Sequence, residues 1–143
     1  MTSYKTIEAP AAWPQDLRDE FERRRGDGRV GSQLVSETER VRVWHLTLKP
    51  GQRIGFHTHV LDYFWTAVTG GWARSNYADG RVAEVSYNPG DTRHHRYGPG
   101  EFMIHDLANV GDTELVFTTV EFLDSANPPL ALPEEKAGEL PAG

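Results

Sequence analysis

Two histidines separated by one residue stand in the run Gly55-Phe56-His57-Thr58-His59-Val60-Leu61-Asp62-Tyr63. On a β-strand side chains alternate between faces, so His57 and His59 point the same way, about 6 to 7 Å apart along the chain. Two imidazoles at that spacing can converge on one metal ion. Such an ion needs a third ligand and commonly a fourth, and His105 in Glu101-Phe102-Met103-Ile104-His105-Asp106-Leu107-Ala108-Asn109 supplies one. The nearest carboxylate to the pair is Asp62, and oxygen and imidazole donors together suit Fe(II), Mn(II), Ni(II) or Zn(II). The competing reading makes the histidines hydrogen-bonded strand residues and Asp62 a loop cap, since a His-x-His pair alone is a weak signal.

Those residues need strands to hold them, and the chain reads as strands from Val30 onward. Val41, Val43, His45 and Thr47 alternate with Arg42, Trp44, Leu46 and Leu48 before Pro50-Gly51, the period of a half-buried strand. Further strands are expected at 53–59, 62–69, 72–77, 81–87, 94–97, 101–110 and 114–123. Gly and Pro turns separate them, and Asp79-Gly80 is a hairpin signal. Short strands at this spacing make an antiparallel sandwich or barrel. Before them, Trp13 to Arg25 predicts a short helix: Pro14 at its start, acids in the early turns, arginines in the last, Leu17 and Phe21 as its apolar stripe. The divisions expected are an arm and helix over 1–29, a barrel over 30–123 and a Pro/Ala/Glu-rich mobile tail over 124–143, in which Leu130 and Leu132 can dock.

The 143 residues suit one domain. With no cysteine, thiolate metal sites, iron-sulfur clusters, disulfides and thiol nucleophiles are excluded, so any metal is bound by nitrogen and oxygen. A net charge of −6 without a basic run argues against nucleic acid as a partner. No apolar run has the length of a signal core or a membrane span. A cytoplasmic protein that meets a small-molecule substrate is expected.

Pro50-Gly51 through His57-Thr58-His59 and on to Gly70-Gly71 resembles the first cupin motif, in which a glycine precedes the His-x-His pair by five residues. Pro89-Gly90-Asp91 and His105 to Asn109 are similar to the second, in which a histidine is followed after three residues by asparagine. The resemblance covers residues 40 to 123 and implies an all-β, single-domain cupin: an antiparallel barrel or jelly roll of two sheets, with a metal or substrate site inside and a homodimeric assembly. The order His-x-His, Asp62-Tyr63 and Glu121-Phe122 also resembles small cupins assigned to β-alanine degradation. Two features depart from the common pattern. Tyr63 and Phe64 stand where cupins carry a glutamate ligand, and the segment from Asp91 to His105 is long and contains His94-His95. Only one of those adjacent histidines can face the interior of a strand.

These observations assign His57, His59, His105 and Asp62 to a divalent transition metal, Fe(II) foremost, with Mn(II), Ni(II) and Zn(II) as the other candidates. Parity with His57 brings Arg53 inward, where its fork matches a substrate carboxylate, or else it is a rim arginine paired with an acid. Parity with His105 brings Glu101, Met103 and Leu107 inward. Trp65 and Met103 are substrate-wall candidates as well as core filler. Tyr63, His94 and Glu101 are the candidate proton-transfer groups. The expected function is a metal-dependent enzyme, of dioxygenase or lyase/isomerase type, acting on a small organic acid or carbonyl compound; a metal-free small-molecule binding or sensing barrel is the alternative.

Overall fold

The computed structural model describes residues 3–133; the part of the expected tail over 134–143 lies outside the described residues. One helix, α1 (Gln15–Arg24), precedes nine strands: β1 (Gln33–Glu37), β2 (Val41–Leu48), β3 (Arg53–His59), β4 (Tyr63–Ala67), β5 (Gly71–Asn76), β6 (Val82–Tyr87), β7 (Thr92–His95), β8 (Met103–Asn109) and β9 (Leu115–Phe122). They form two antiparallel sheets, one in the order β1-β2-β9-β4-β7 and the other β3-β8-β5-β6. Sequence neighbours β3 and β4 therefore lie in different sheets, and the chain passes repeatedly from one to the other. The expected all-β, two-sheet architecture is the one observed.

The alternating residues of both sheets meet inside. Leu46, Leu48, Ala67, Leu115 and Phe117 of one sheet pack on Ile54, Ala73 and Leu107 of the other. Asp79-Gly80 turns the chain from β5 into β6 as the sequence suggests, with Gly80 at φ 91°, a backbone state that glycine adopts without strain.

The position of β3 depends on α1. Asp16 in the helix's first turn and Arg23 and Arg24 in its last complement the helix dipole. Leu17 and Phe21, one turn apart, face the outer side of β3. There the Phe21 ring meets Phe56 edge-on at 5.3 Å, and Trp13 stacks on Phe56 at 5.2 Å. Phe21, Phe56 and Ile104 form a second core outside the barrel. Salt bridges add to it: the Arg53 guanidinium donates two hydrogen bonds of 2.7 Å to the Glu20 carboxylate and one of 2.9 Å to Asp106. At the other end of the chain, Leu130 and Leu132 lie against Gly28, and the Asn127 side chain donates to Val60 O and Gly98 O while accepting from Gly100 N.

Phe21 is fully buried at the centre of this outer core. Phe21→Ala should therefore cost about 3 to 5 kcal/mol, read as a lowered midpoint with unchanged slope in urea unfolding.

Candidate metal centre

His57 and His59 on β3 and His105 on β8 come together inside the barrel. The register pairs His57 directly with His105, and the three ring centroids stand 4.7, 5.1 and 5.2 Å apart. Their candidate ligand atoms all lie within 4.8 Å of one another, the one such group of three or more among the described residues. His105 Nε2 is 3.3 Å from His59 Nε2. Two donors about 2.1 Å from one ion, at a tetrahedral angle, stand about 3.4 Å apart. The observed separation fits a shared ion.

Hydrogen bonding sets the direction of the third ring. His57 Nδ1 lies 2.8 Å from Gly55 O, and a carbonyl only accepts, so Nδ1 carries the proton and the Nε2 lone pair is left for a ligand. The Nδ1 atoms of His59 and His105 are buried with no hydrogen-bond partner. The fold thus leaves these two ring nitrogens without a partner among the described residues. Burial pushes the His57 pKa down to about 4, against the Gly55 carbonyl and with help from Arg24. His59 and His105 are held well below the usual histidine range, by burial first and then by neighbouring histidines. All three rings are neutral at pH 7, the state that binds a metal. The donor set fits one divalent transition ion, with His57, His59 and His105 to hold it.

The trio faces a cavity of about 390 Å³. Its walls include Tyr63, Trp65, Ser75, Tyr77, Met103 and Thr119, and it lies beside β6 and β7, one edge strand of each sheet.

The structure resembles solved proteins of one kind. A cupin domain from Bordetella pertussis aligns with a TM-score of 0.55 at 27% identity, over 62% of this chain and 88% of that one. A protein from Klebsiella pneumoniae described as an uncharacterized conserved protein with a double-stranded β-helix domain aligns with a TM-score of 0.52 at 24% identity, over 94% and 92%. No family model matches the chain, and no curated protein does. The chain has the cupin fold.

Against that cupin frame the other candidate residues divide. Tyr63 lies in the cavity wall, its ring stacked 4.3 Å from His59 on one side and 4.7 Å from His95 on the other. Burial holds its hydroxyl protonated, well above the usual tyrosine range. Trp65 and Met103 also line the cavity. Asp62 does not join the histidines: its carboxylate accepts from Tyr97 N at 2.9 Å and caps the loop instead. Glu101 sits in the turn before β8, exposed, with its carboxylate accepting from Gly98 N. The parity from His105 ends where the strand ends.

Arg53 departs from the expected parity for a specific reason. Between Ile54 and His57 the β3–β8 register shifts, so Gly55 and Phe56 together oppose Asp106 in a β-bulge. One inserted residue reverses the faces. Ile54 and His57 both point inward, while Arg53 points outward to Glu20 and Asp106.

His94 also faces outward, against Phe64 at 5.2 Å, and is exposed. Its neighbour His95 takes the inward position, opposite Tyr63. Arg93, opposite Trp65, lines the cavity on the same face, and its guanidinium has no hydrogen bond or ion pair among the described residues. Both follow from the β4–β7 register, which the sequence does not state.

Glu121 is a further interior group. It follows Leu115, Phe117 and Thr119 on the inward side of β9, is 3% exposed, and accepts from Trp44 Nε1 at 2.8 Å. Burial pushes its carboxyl up to about 7, although the Trp44 bond and Arg42 pull the other way.

These groups oppose one another in acid. His57 has a folded pKa of about 4, below the value of 6.5 it has when unfolded, so its contribution is present above about pH 6.5 and is lost as pH falls towards 4. That loss is about 3 kcal/mol for His57 alone, and His59 and His105 act in the same sense. Glu121, raised from 4.5 to about 7, contributes below about pH 4.5 and loses that contribution as pH rises through 7. Metal-free protein should therefore lose stability from pH 6.5 to 4, and Glu121→Gln should steepen the loss, as urea midpoints measured across this range will read.

Proposed function

We propose that this cupin is a metal-dependent enzyme acting on a small organic acid or carbonyl compound, with its ion held by His57, His59 and His105. The observation that carries this reading is the meeting of three neutral imidazoles, two buried and His105 half-buried, at the wall of a 390 Å³ cavity. A divalent transition ion bound there supplies Lewis acidity and, where it is iron, redox capacity. An ion held by these three residues alone would keep positions open for a substrate. Reactions of dioxygenase and of lyase or isomerase type both suit such a centre.

The chain's own groups account for the rest. Tyr63, protonated and stacked beside His59, offers a proton donor next to the centre. His95 completes the stack, and burial lowers its pKa, so at neutral pH it is an imidazole able to accept a proton. Arg93 takes the carboxylate-binding role expected of Arg53, because its fork lies in the cavity wall with no ion-pair partner among the described residues. The aromatic groups Trp65, Tyr87 and Phe117 meet edge-to-face at 5.0 to 5.6 Å and give the substrate an apolar surface.

Elemental analysis of untagged protein after incubation with Fe(II) or Mn(II) tests the reading. Near one equivalent is expected, falling severalfold in both His57→Ala and His105→Ala. Less than about a tenth of an equivalent in the unaltered protein overturns it. Loaded protein should convert at least one member of a panel of small oxo- and hydroxy-acids, with His105→Ala inactive towards it.

A further inference from the structure

The carbonyl that fixes His57 and an amide bonded to helix α1 belong to the same peptide unit. Gly55 C=O lies 2.8 Å from His57 Nδ1 and accepts its proton, while the N–H of Phe56, on the other end of that peptide, donates to Glu20 Oε2 at 3.1 Å. This unit lies in the bulge, where the β3–β8 ladder is interrupted. Its two polar groups are therefore available for this chain of contacts. The lack of a side chain at Gly55 leaves room for it: a Cβ there would stand 3.0 Å from Glu20 Oε2 and 2.8 Å from Arg24 Nη1, so that the ends of both side chains would have to move. The carboxylate is ionised, because the Arg53 fork, the Phe56 N–H and Arg24 outweigh its burial and hold it below the usual carboxylate range.

We propose that Glu20 is a positioning residue for the metal centre, acting on His57 through the Gly55–Phe56 peptide bond. Metal-binding histidines commonly donate their second nitrogen to a carboxylate, which fixes the tautomer and raises ligand basicity. Here the carboxylate is one peptide removed. A negative charge on the N–H side draws electron density towards the carbonyl oxygen and strengthens it as an acceptor, since hydrogen bonds in series polarise one another. The order is Glu20 carboxylate, Phe56 N–H, Gly55 C=O, His57 Nδ1–H, and then the Nε2 lone pair. Helix α1, outside the barrel, thereby sets the orientation and donor strength of a ring inside it. In its consequence for metal this rests on the three-histidine reading; the hydrogen-bond series is a property of the metal-free chain.

The test compares isotopically labelled wild-type protein with Glu20→Gln, which keeps the shape and removes the charge. In metal-free wild type, His57 should be the Nδ1–H tautomer, with the Nδ1 proton and the Phe56 amide proton both far downfield by NMR. In Glu20→Gln both protons should move upfield, and Co(II) affinity, read from the visible absorption of the bound ion, should fall roughly tenfold. A Phe56 shift with the His57 ring resonances unmoved overturns the proposal, and so does unchanged Co(II) affinity. A purely structural role for Glu20 would lower the melting temperature without moving the His57 ring. If Glu20→Gln does not fold, wild type decides: couplings across both hydrogen bonds, Glu20 to Phe56 N and Gly55 to His57 Nδ1, support the relay, and the absence of either rejects it. If wild type takes up no Co(II), the metal reading fails, and the His57 ring response still decides the relay.

Discussion

A one-residue bulge in β3 governs the interior of this cupin. Without it, alternation would put either Ile54 or His57 in the barrel, but not both. With it, Ile54 closes the apolar core, and His57, three residues later on the same face, joins His59 and His105. The same shift turns Arg53 outward, where it bridges Glu20 on α1 and Asp106 on β8. Asp106 in turn accepts from the Asn76 backbone and side chain at 2.6 and 3.1 Å. The bulge, the helix and the central strands of the second sheet are thus tied by one polar network on the outside of the barrel.

That division separates two environments a few ångströms apart. Outside β3, ionised groups satisfy one another: Glu20 with Arg53, and Asp27 with Arg24 and Arg29. Inside, no carboxylate of the described residues joins the three rings, and burial keeps them neutral. Neutral imidazoles packed together are poor partners for each other and good partners for a cation. The aromatic stack of His59, Tyr63 and His95 extends the neutral surface along the cavity wall, towards Arg93, a cation with no ion-pair partner among the described residues.

Much of this was legible in the chain. Period-2 alternation and Gly/Pro punctuation located β2 to β9, because the inner strands have one face in a core; β1, with only Leu34 half-buried, was not among the expected strands. The histidine trio was legible because His-x-His keeps its parity downstream of the bulge. Arg53 was misdirected because it lies upstream, and nothing but Gly55 marks the inserted residue. His94 and His95 are adjacent and chemically identical, so only the cross-strand pairing of Tyr63 with His95 separates them. Asp62 caps the Tyr97 N–H of a distant loop and Glu101 the Gly98 N–H of its own turn, roles that the sequence allows for any acid near a turn. Glu121 had a signal that could have been used, since it continues the Leu115, Phe117, Thr119 alternation into the interior.

Anomalous diffraction from crystals of the unaltered protein grown with Co(II) tests the central claim most directly. The account predicts a single strong peak inside the barrel, about 2.0 to 2.2 Å from one nitrogen of each of His57, His59 and His105. A barrel interior without a peak while the rings are ordered, or a peak that one of these three rings does not touch, would contradict it.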